Sequence, residues 1–462
     1  MKRVLIAYSW SINNIGDIAI TPGLIELLRE FYPEASLSVM SMYPDKGDEY
    51  VNTKGYFNSR YPEVEVMPSP LFDKIFYSEK HNRIIPLIKK GLGQEKFDRF
   101  NSGTLPLAEV EEVVDYLLNE LPAEIISVFE ESDPEIIQTV KMQDFLIYNS
   151  GMTLSFGRGE PARSADGKLM RQRDFWNITF TFALPLLLAN YLKIPFAIWA
   201  QSYEAFDYPS NIFFKRLLKH ATFIGARDPQ SLEYMKSRQI VNKDMSFRPD
   251  STFFAVGEDN AWADDFLAKH SLKEKEFVTL TIRSSLQGYI NKERENTYMS
   301  CLCEFIELLT KRLSLSVLLC PEVRSEIQPM YDLIYSRLSP EEQEKCIWMD
   351  HFWTTEQARS VYRKAETVIS MEMHSIILAL GAGTPVLHPR FMEAGRKAWM
   401  LHEMNMSEWL FDMDHLCPEE LFSAVEKIHQ NYAAAQNKVT TQIKQLKLLA
   451  SESIEKIRQH CL

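Results

Sequence analysis

Short, β-rich apolar runs alternate with stretches of helical period along most of the chain. The run VLIAYS (4–9) is followed by a polar turn, SINNIGD, and then by Leu24, Ile25, Leu27, Leu28 and Phe31 at helical spacing, which predicts a strand, a turn and a helix. Thr21-Pro22 falls in the first turn of that helix on this reading, because proline has a preset φ and lacks only an amide that is unpaired there. Leu37 to Met40 reads as the next strand. Strand signals return at 144–152 (DFLIYNSGM), 194–202 (IPFAIWAQS) and 222–228 (TFIGARD), with an apolar helix over 179–192. Such alternation implies a mostly parallel sheet, whose ligands bind at the carboxyl ends of the strands. Residues 45–140 are less regular and read as an elaboration of the first domain, with one amphipathic stretch at Val110, Val113, Val114, Leu117, Leu118 and Leu121.

The polar stretch GEDNAWADD (257–265) marks a boundary, after which the pattern restarts. Strands are expected at 277–283, 315–321, 367–370 and 384–388, a helix over 298–312, and helices again over 418–462. The expected fold class is therefore α/β: two facing Rossmann-like domains, 1–258 and 259–462, with a cleft between them and helices at the end. A chain of 462 residues has the length for two such units.

Charge narrows the partners. Lys and Arg number 51 against 63 Asp and Glu, a net charge of −12, which argues against a whole-protein grip on nucleic acid or anionic lipid. A small anion needs a local cluster of cations. The longest apolar candidate, Phe180 to Leu192, falls short of the roughly 20 residues that span a bilayer, and MKRVLIAYSW is not followed by a cleavage site. No transmembrane segment is expected, although peripheral membrane contact stays open. The six cysteines form no CxxC pair and have no histidine at zinc-ligand spacing, which favours reduced thiols in a cytoplasmic protein. Neither a cofactor nor a metal site is expected.

Four groups of residues sit where chemistry is expected. In the first turn, Asn14, Gly16 and Asp17 offer close backbone approach and amides at a helix N-terminus, with a plain strand-to-helix turn capped by Asp17 as the structural alternative. Asn149, Ser150 and Gly151 end one strand, and Gln201 and Ser202 end another; both are ligand sites or simple turns. Arg227 and Arg283 each close a strand with a planar, permanently charged fork suited to phosphate or carboxylate; the structural alternatives are Arg227 paired with Asp228 or another acid and Arg283 as a surface cation. Asp228 and Ser231 read as caps of the following helix. Arg396 and Lys397 read as cations on a solvated helix, with a supply of local positive charge to the site as the alternative. The last group is SMEMHSIILALGAGTPVLHPR (370–390), in which Glu372, His374 and Ser375 open an apolar helix and His388 and Arg390 follow. The helix dipole is expected to lower the pKa of His374 and leave it neutral.

In order and spacing, the pieces NNIGDIAITPG, YNSGM, WAQS, GARDPQSLEYM, RPDSTFF, LTIR and SxxxHSIILALGAGTPV resemble the polysaccharide pyruvyl transferase family. The resemblance extends over residues 13–388. It implies a bilobal fold of the glycosyltransferase-B kind and transfer of the enolpyruvyl unit of phosphoenolpyruvate onto sugar hydroxyls of a cell-surface polysaccharide precursor, forming a ketal and releasing phosphate. Partners are then phosphoenolpyruvate and a glycan or lipid-linked saccharide acceptor. His374 becomes the acid or a phosphate ligand, Arg227 and Arg283 ligands of the donor's anionic groups, and Asp17 an acceptor contact or loop-ordering residue. The chain departs from the family pattern at Glu372, where an arginine is common. A carboxylate there repels an anionic donor by about 4 kcal/mol at 4 Å and an effective dielectric of 20. Either another arginine compensates or the donor differs. A nucleotide-sugar glycosyltransferase, with Glu372 accepting from sugar hydroxyls, and a non-catalytic sugar-binding protein are the alternatives.

Overall fold

The computed structural model describes residues 1–45, 47–71, 82–154, 175–287, 290, 292–391 and 395–461. Parts of the 45–140 elaboration (residue 46 and residues 72–81) lie outside them.

The first sheet holds β1 (Arg3–Ser9), β2 (Ser36–Ser41), β3 (Glu65–Met67), β4 (Phe145–Tyr148), β5 (Phe196–Gln201), β6 (Ile224–Ala226) and β7 (Met245–Phe247) in the order β3-β2-β1-β4-β5-β6-β7. The second holds β8 (Phe277–Thr281), β9 (Ser316–Leu319), β10 (Cys346–Trp348), β11 (Thr367–Ser370), β12 (Val386–Arg390) and β13 (Leu410–Asp412) in the order β10-β9-β8-β11-β12-β13. Every pairing in both sheets is parallel. These are two doubly wound, Rossmann-like units, with switch points between β1 and β4 and between β8 and β11, where such folds open a crevice. The strands read as continuous apolar runs because helices bury both faces of a parallel sheet. On one face of the first sheet, Val110, Val113, Val114, Leu117 and Leu118 of the elaboration pack with Leu5, Leu146, Ile198 and Leu187.

The other face is shared. Val4, Ile6 and Ile147 belong to one buried apolar cluster that runs through Leu24, Leu28 and Phe253 into Ile376, Leu380, Leu280 and Val368 of the second unit. The Ile15–Phe31 helix is the centre of this junction and differs from its expected start. Pro22 lies inside it rather than in its first turn, because the helix already begins at Ile15 behind the Asn14 cap. Gly23 is what lets the helix seat: a Cβ there would stand 1.9 Å from the Ser251 carbonyl oxygen. Within the polar stretch 257–265, residues from Asn260 onward form a helix, Asn260–Lys269.

Two segments of the second half reach back to the first unit. Arg396 donates to the carbonyls of Tyr203 (3.2 Å) and Gln230 (3.4 Å) and lies over the Tyr234 ring, so it is a cross-domain anchor and not a solvated cation. The long Tyr432–Cys461 helix returns to the first sheet, burying Ile454 and Ile457 in the shared core and pairing Lys447 with Glu30 and Arg458 with Glu34.

Candidate active site

The carboxyl ends of both sheets meet at one histidine. His374 is the second residue of the Met373–Gly381 helix, which follows β11, and it faces the amino end of the Ile15–Phe31 helix. The approach is close. A Cβ on Gly16 would lie 2.0 Å from His374 Cβ, so only glycine fits there. Asn14 caps the Ile15–Phe31 helix, its Oδ1 accepting from the amides of Gly16 (2.8 Å) and Asp17 (2.9 Å), which replaces Asp17 as the expected cap. Asp17 is thereby left in the first turn with its carboxylate 3.3 Å from His374 Nδ1 and a third of its side chain exposed.

The second carboxylate at the ring comes from the turn after β9. Glu322 Oε1 stands 3.7 Å from His374 Nδ1, and its Oε2 accepts from the Ser375 amide (2.6 Å) and the Ser375 hydroxyl (2.8 Å). That turn is joined to the first domain by backbone: Ile15 N donates to the Glu322 carbonyl (3.1 Å), Arg324 N donates to the Asn13 carbonyl (3.2 Å), and Asn14 bridges Val323 antiparallel. Burial alone lowers the pKa of His374, but Glu322 and then Asp17 outweigh it and the net shift is upward. The expectation of a dipole-neutralised imidazole is corrected by these two carboxylates. Asp17 is raised by burial in spite of the histidine, whereas Glu322 is held below its ordinary value by His374 against its own burial. His374 Nε2 is buried without a hydrogen-bond partner among the described residues. The arrangement is an imidazole ring whose Nδ1 edge faces two carboxylates that favour its protonated form and whose Nε2 has no partner among the described residues.

The remaining sequence-derived candidates fall into three groups. Asn149, Ser150, Gly151 and Gln201 lock their own loops: Asn149 donates to Thr21 Oγ1 (2.8 Å), Ser150 Oγ lies 3.1 Å from Ser251 Oγ, Gly151 N donates to the Ala200 carbonyl (3.1 Å), and Gln201 Nε2 donates to the Asn149 carbonyl (2.6 Å). Two arginines are matched by carboxylates. Arg227 is buried against Asp250 (2.8 Å) and donates to Ser202 Oγ (2.9 Å), while Arg283 meets Glu372 at 2.9 Å, with Lys397 at 4.0 Å from the same carboxylate. Burial raises the Glu372 pKa despite these cations. Arg390 stands apart: it is 5% exposed, stacks on Trp399 at 5.0 Å, and its Nε and Nη1 have no partner among the described residues. Asp228 caps the Pro229–Ser237 helix through the Ser231 amide (2.7 Å).

A family model of polysaccharide pyruvyl transferases matches residues 14–388. The chain belongs to the polysaccharide pyruvyl transferase family. The match takes in Asp17, Arg227, Arg283, Glu322 and His374, and ends before Arg390. No curated protein sequence matches the chain. Among solved structures, it is similar to a UDP-GlcNAc 2-epimerase from Neisseria meningitidis bound to UDP-GlcNAc, at 11% identity and TM-score 0.53, covering 99% of this chain and 100% of that one. It is also similar to the S. aureus MnaA-UDP co-structure (11% identity, TM-score 0.51, 95% and 91% covered) and to the Rickettsia bellii UDP-N-acetylglucosamine 2-epimerase (12%, 0.51, 100% and 97%). At these identities the likeness is one of fold. This pyruvyl transferase family member is accordingly a transferase of the two-domain, glycosyltransferase-B kind.

Glu322 and Asp250 escaped the sequence reading, and Lys397, read as a cation on a solvated helix, instead faces Glu372. Glu322 is the first residue past the run LSVLLCP, and Asp250 follows three residues after β7. Both lie at strand ends, the position that singled out Arg227 and Arg283. Lys397 was legible only as a charge, because its direction is set by Arg396 anchoring the segment across the domains.

Proposed function

We propose that this family member transfers the enolpyruvyl unit of phosphoenolpyruvate to two hydroxyls of a sugar, forming a ketal, with His374 as the acid. The observation that carries the reading is the buried His374 ring, whose Nδ1 lies within 4 Å of Glu322 and Asp17, which raise its pKa, and whose Nε2 is unpartnered among the described residues. The His374 Nε2 proton adds to the donor's methylene carbon and makes it a methyl group, while positive charge develops at the neighbouring carbon. A sugar hydroxyl oxygen attacks that carbon and its proton restores the imidazolium. The second hydroxyl attacks as the carbon–oxygen bond to phosphate breaks, and its proton leaves with the phosphate. Asp17, beside the ring and partly exposed, holds the ring and contacts the acceptor. Arg390, with two buried N–H donors unpartnered, receives an anionic group of the donor in place of Arg227 and Arg283, which carboxylates already neutralise. Glu372 orients Arg283 and accepts from acceptor hydroxyls. The family membership supports a cytoplasmic enzyme acting on a polysaccharide precursor.

The pairing of Arg283 with Glu372 favours one rival, a nucleotide-sugar transferase, because a neutralised arginine suits hydroxyl recognition better than phosphate recognition. One experiment separates them. Purified protein is incubated with phosphoenolpyruvate and a panel of lipid-linked saccharides in D2O, with phosphate release and product mass recorded. One deuterium per transferred methyl is expected, and His374→Ala abolishes transfer. Absence of phosphate release with every acceptor, together with a rise in Tm on adding UDP-, GDP- or CMP-sugars, overturns the proposal in favour of the rival.

A further inference from the structure

The amino end of the Met373–Gly381 helix is where an α/β fold receives a phosphoryl group, since free amides and the helix dipole point there. In this protein that end is already filled from within. Glu322 Oε2 takes both the Ser375 amide and the Ser375 hydroxyl, and Tyr362 donates to the same hydroxyl (3.1 Å). Glu322 is itself fixed: Glu326 Oε2 accepts from the amides of Glu322 (2.7 Å) and Val323 (3.0 Å), and Ile15 of the first domain donates to the Glu322 carbonyl. The other oxygen of the Glu322 carboxylate faces His374 Nδ1.

We propose that Glu322 is a positioning residue with two effects: it keeps His374 in its acid form, and it closes the amino end of the histidine helix to the donor's phosphoryl group. The donor rests on the pyruvyl-transfer reading; the contacts of Glu322 with His374 and with the helix end do not depend on it. The consequence is a division of labour. The phosphoryl group is met by side-chain cations such as Arg390, and the helix end serves proton transfer.

The groups that bear on His374 come from every element around it. Asp17 lies on the Ile15–Phe31 helix, Asp250 in the turn after β7, Glu322 and Glu326 in the turn after β9, and Glu372 at the N-cap of the histidine helix. Arg227, Arg283 and Lys397 oppose them. Of the carboxylates, Glu322 and Asp17 alone lie within 4 Å of the ring nitrogen among the described residues, and Glu322 is the buried one. Burial and its carboxylate neighbours push Glu326 well above the ordinary range, so Glu322 carries the charge of that turn.

The test is Glu322→Gln, which keeps the shape and removes the charge, with the His374 ring followed by NMR titration without any donor present. Its midpoint falls by about 1–3 pH units relative to wild type, and the upper limb of the kcat profile moves down with it. Glu322→Asp, which keeps a carboxylate, gives a smaller fall and stands in if the Gln variant does not fold. Glu322→Ala opens the helix end, and inorganic phosphate then binds about tenfold or more tightly than in wild type by calorimetry. A His374 midpoint in Gln and Asp variants equal to wild type overturns the proton-holding role, and unchanged phosphate affinity in the Ala variant overturns the closure. Wild-type protein that releases no phosphate from phosphoenolpyruvate, with the titration shifts as expected, overturns the donor reading and leaves the role of Glu322 standing.

Discussion

Arg227 offers the sharpest test of what holds the cleft together. Its guanidinium and the Asp250 carboxylate are 2.8 Å apart, with side-chain exposures of 2% and 0%, so neither charge has water to fall back on. At that distance and an effective dielectric of 20 the Coulomb attraction is about 6 kcal/mol, most of which offsets the desolvation of the two ions. Arg227→Met therefore forfeits less than the attraction but strands Asp250, and the expected loss is about 3–5 kcal/mol. With a urea m value of about 3 kcal/mol/M, the unfolding midpoint falls by about 1–1.7 M. The sign of the pH dependence is also fixed. In wild type Arg227 holds the Asp250 pKa below its ordinary value against the effect of burial, so the pair stabilises the fold above the unfolded carboxylate range and is lost as pH falls through the native pKa. In the variant burial is opposed only by His374 and the Thr252 amide, the native pKa rises, and protonation relieves the stranded charge. The gap between variant and wild type should be largest near pH 8 and shrink toward pH 5, as read by urea titrations followed by circular dichroism. A variant within about 0.5 kcal/mol of wild type at pH 8 that nevertheless loses donor binding would refute this account and return Arg227 to the list of donor ligands.

Three further outcomes follow from the same structure. Gly16→Ala pushes a methyl group into His374 Cβ and Cγ, at 2.0 and 2.6 Å, and should cost about 1–3 kcal/mol in thermal stability with a larger loss in kcat than in Tm would suggest; wild-type turnover in that variant would show that the ring does not need its present seat. Activity should stay high below neutrality and fall as pH rises through the raised His374 pKa, so a kcat profile that instead climbs toward pH 9 contradicts an acid role. Native protein treated with a thiol reagent at pH 8 should lose one thiol quickly, the exposed Cys417, because burial pushes the Cys301 thiol up to about 11 and Cys320 up to about 12; two or more fast equivalents would contradict the packing around them.

The strands were legible because parallel strands buried on both faces are continuous apolar runs, as VLIAYS and FAIWAQ illustrate. Short edge strands such as β7 and β13, with half-buried residues, carry no such signal. Pro22 misled the reading of the first helix: local preference places proline at a helix start, while tertiary packing of Gly23 against Ser251 holds the proline in mid-helix. His374 and Asp17 could be named from their places at helix starts, but the charge of the ring could not. That charge depends on Glu322, 52 residues earlier in the chain, and pairs of this kind are set by topology alone. The same limit applies to Arg227 and Arg283, whose forks advertised anion binding and whose partners, Asp250 and Glu372, are carboxylates of the protein.

The return of the Tyr432–Cys461 helix bears on how the chain folds as it is made. Leu24, Leu28 and Ile147 of the first unit share a core with Ile454 and Ile457, so that face stays bare until residues 432–461 exist. At about 5–20 residues per second, the roughly 200 residues between β7 and that helix take on the order of 10–40 s to synthesise, and over that interval the first unit has secondary structure without its cover. A chain ending before Tyr432 should thus fail in the half of the molecule synthesised first, with Ile147 and its neighbours exposed to chaperones or to aggregation.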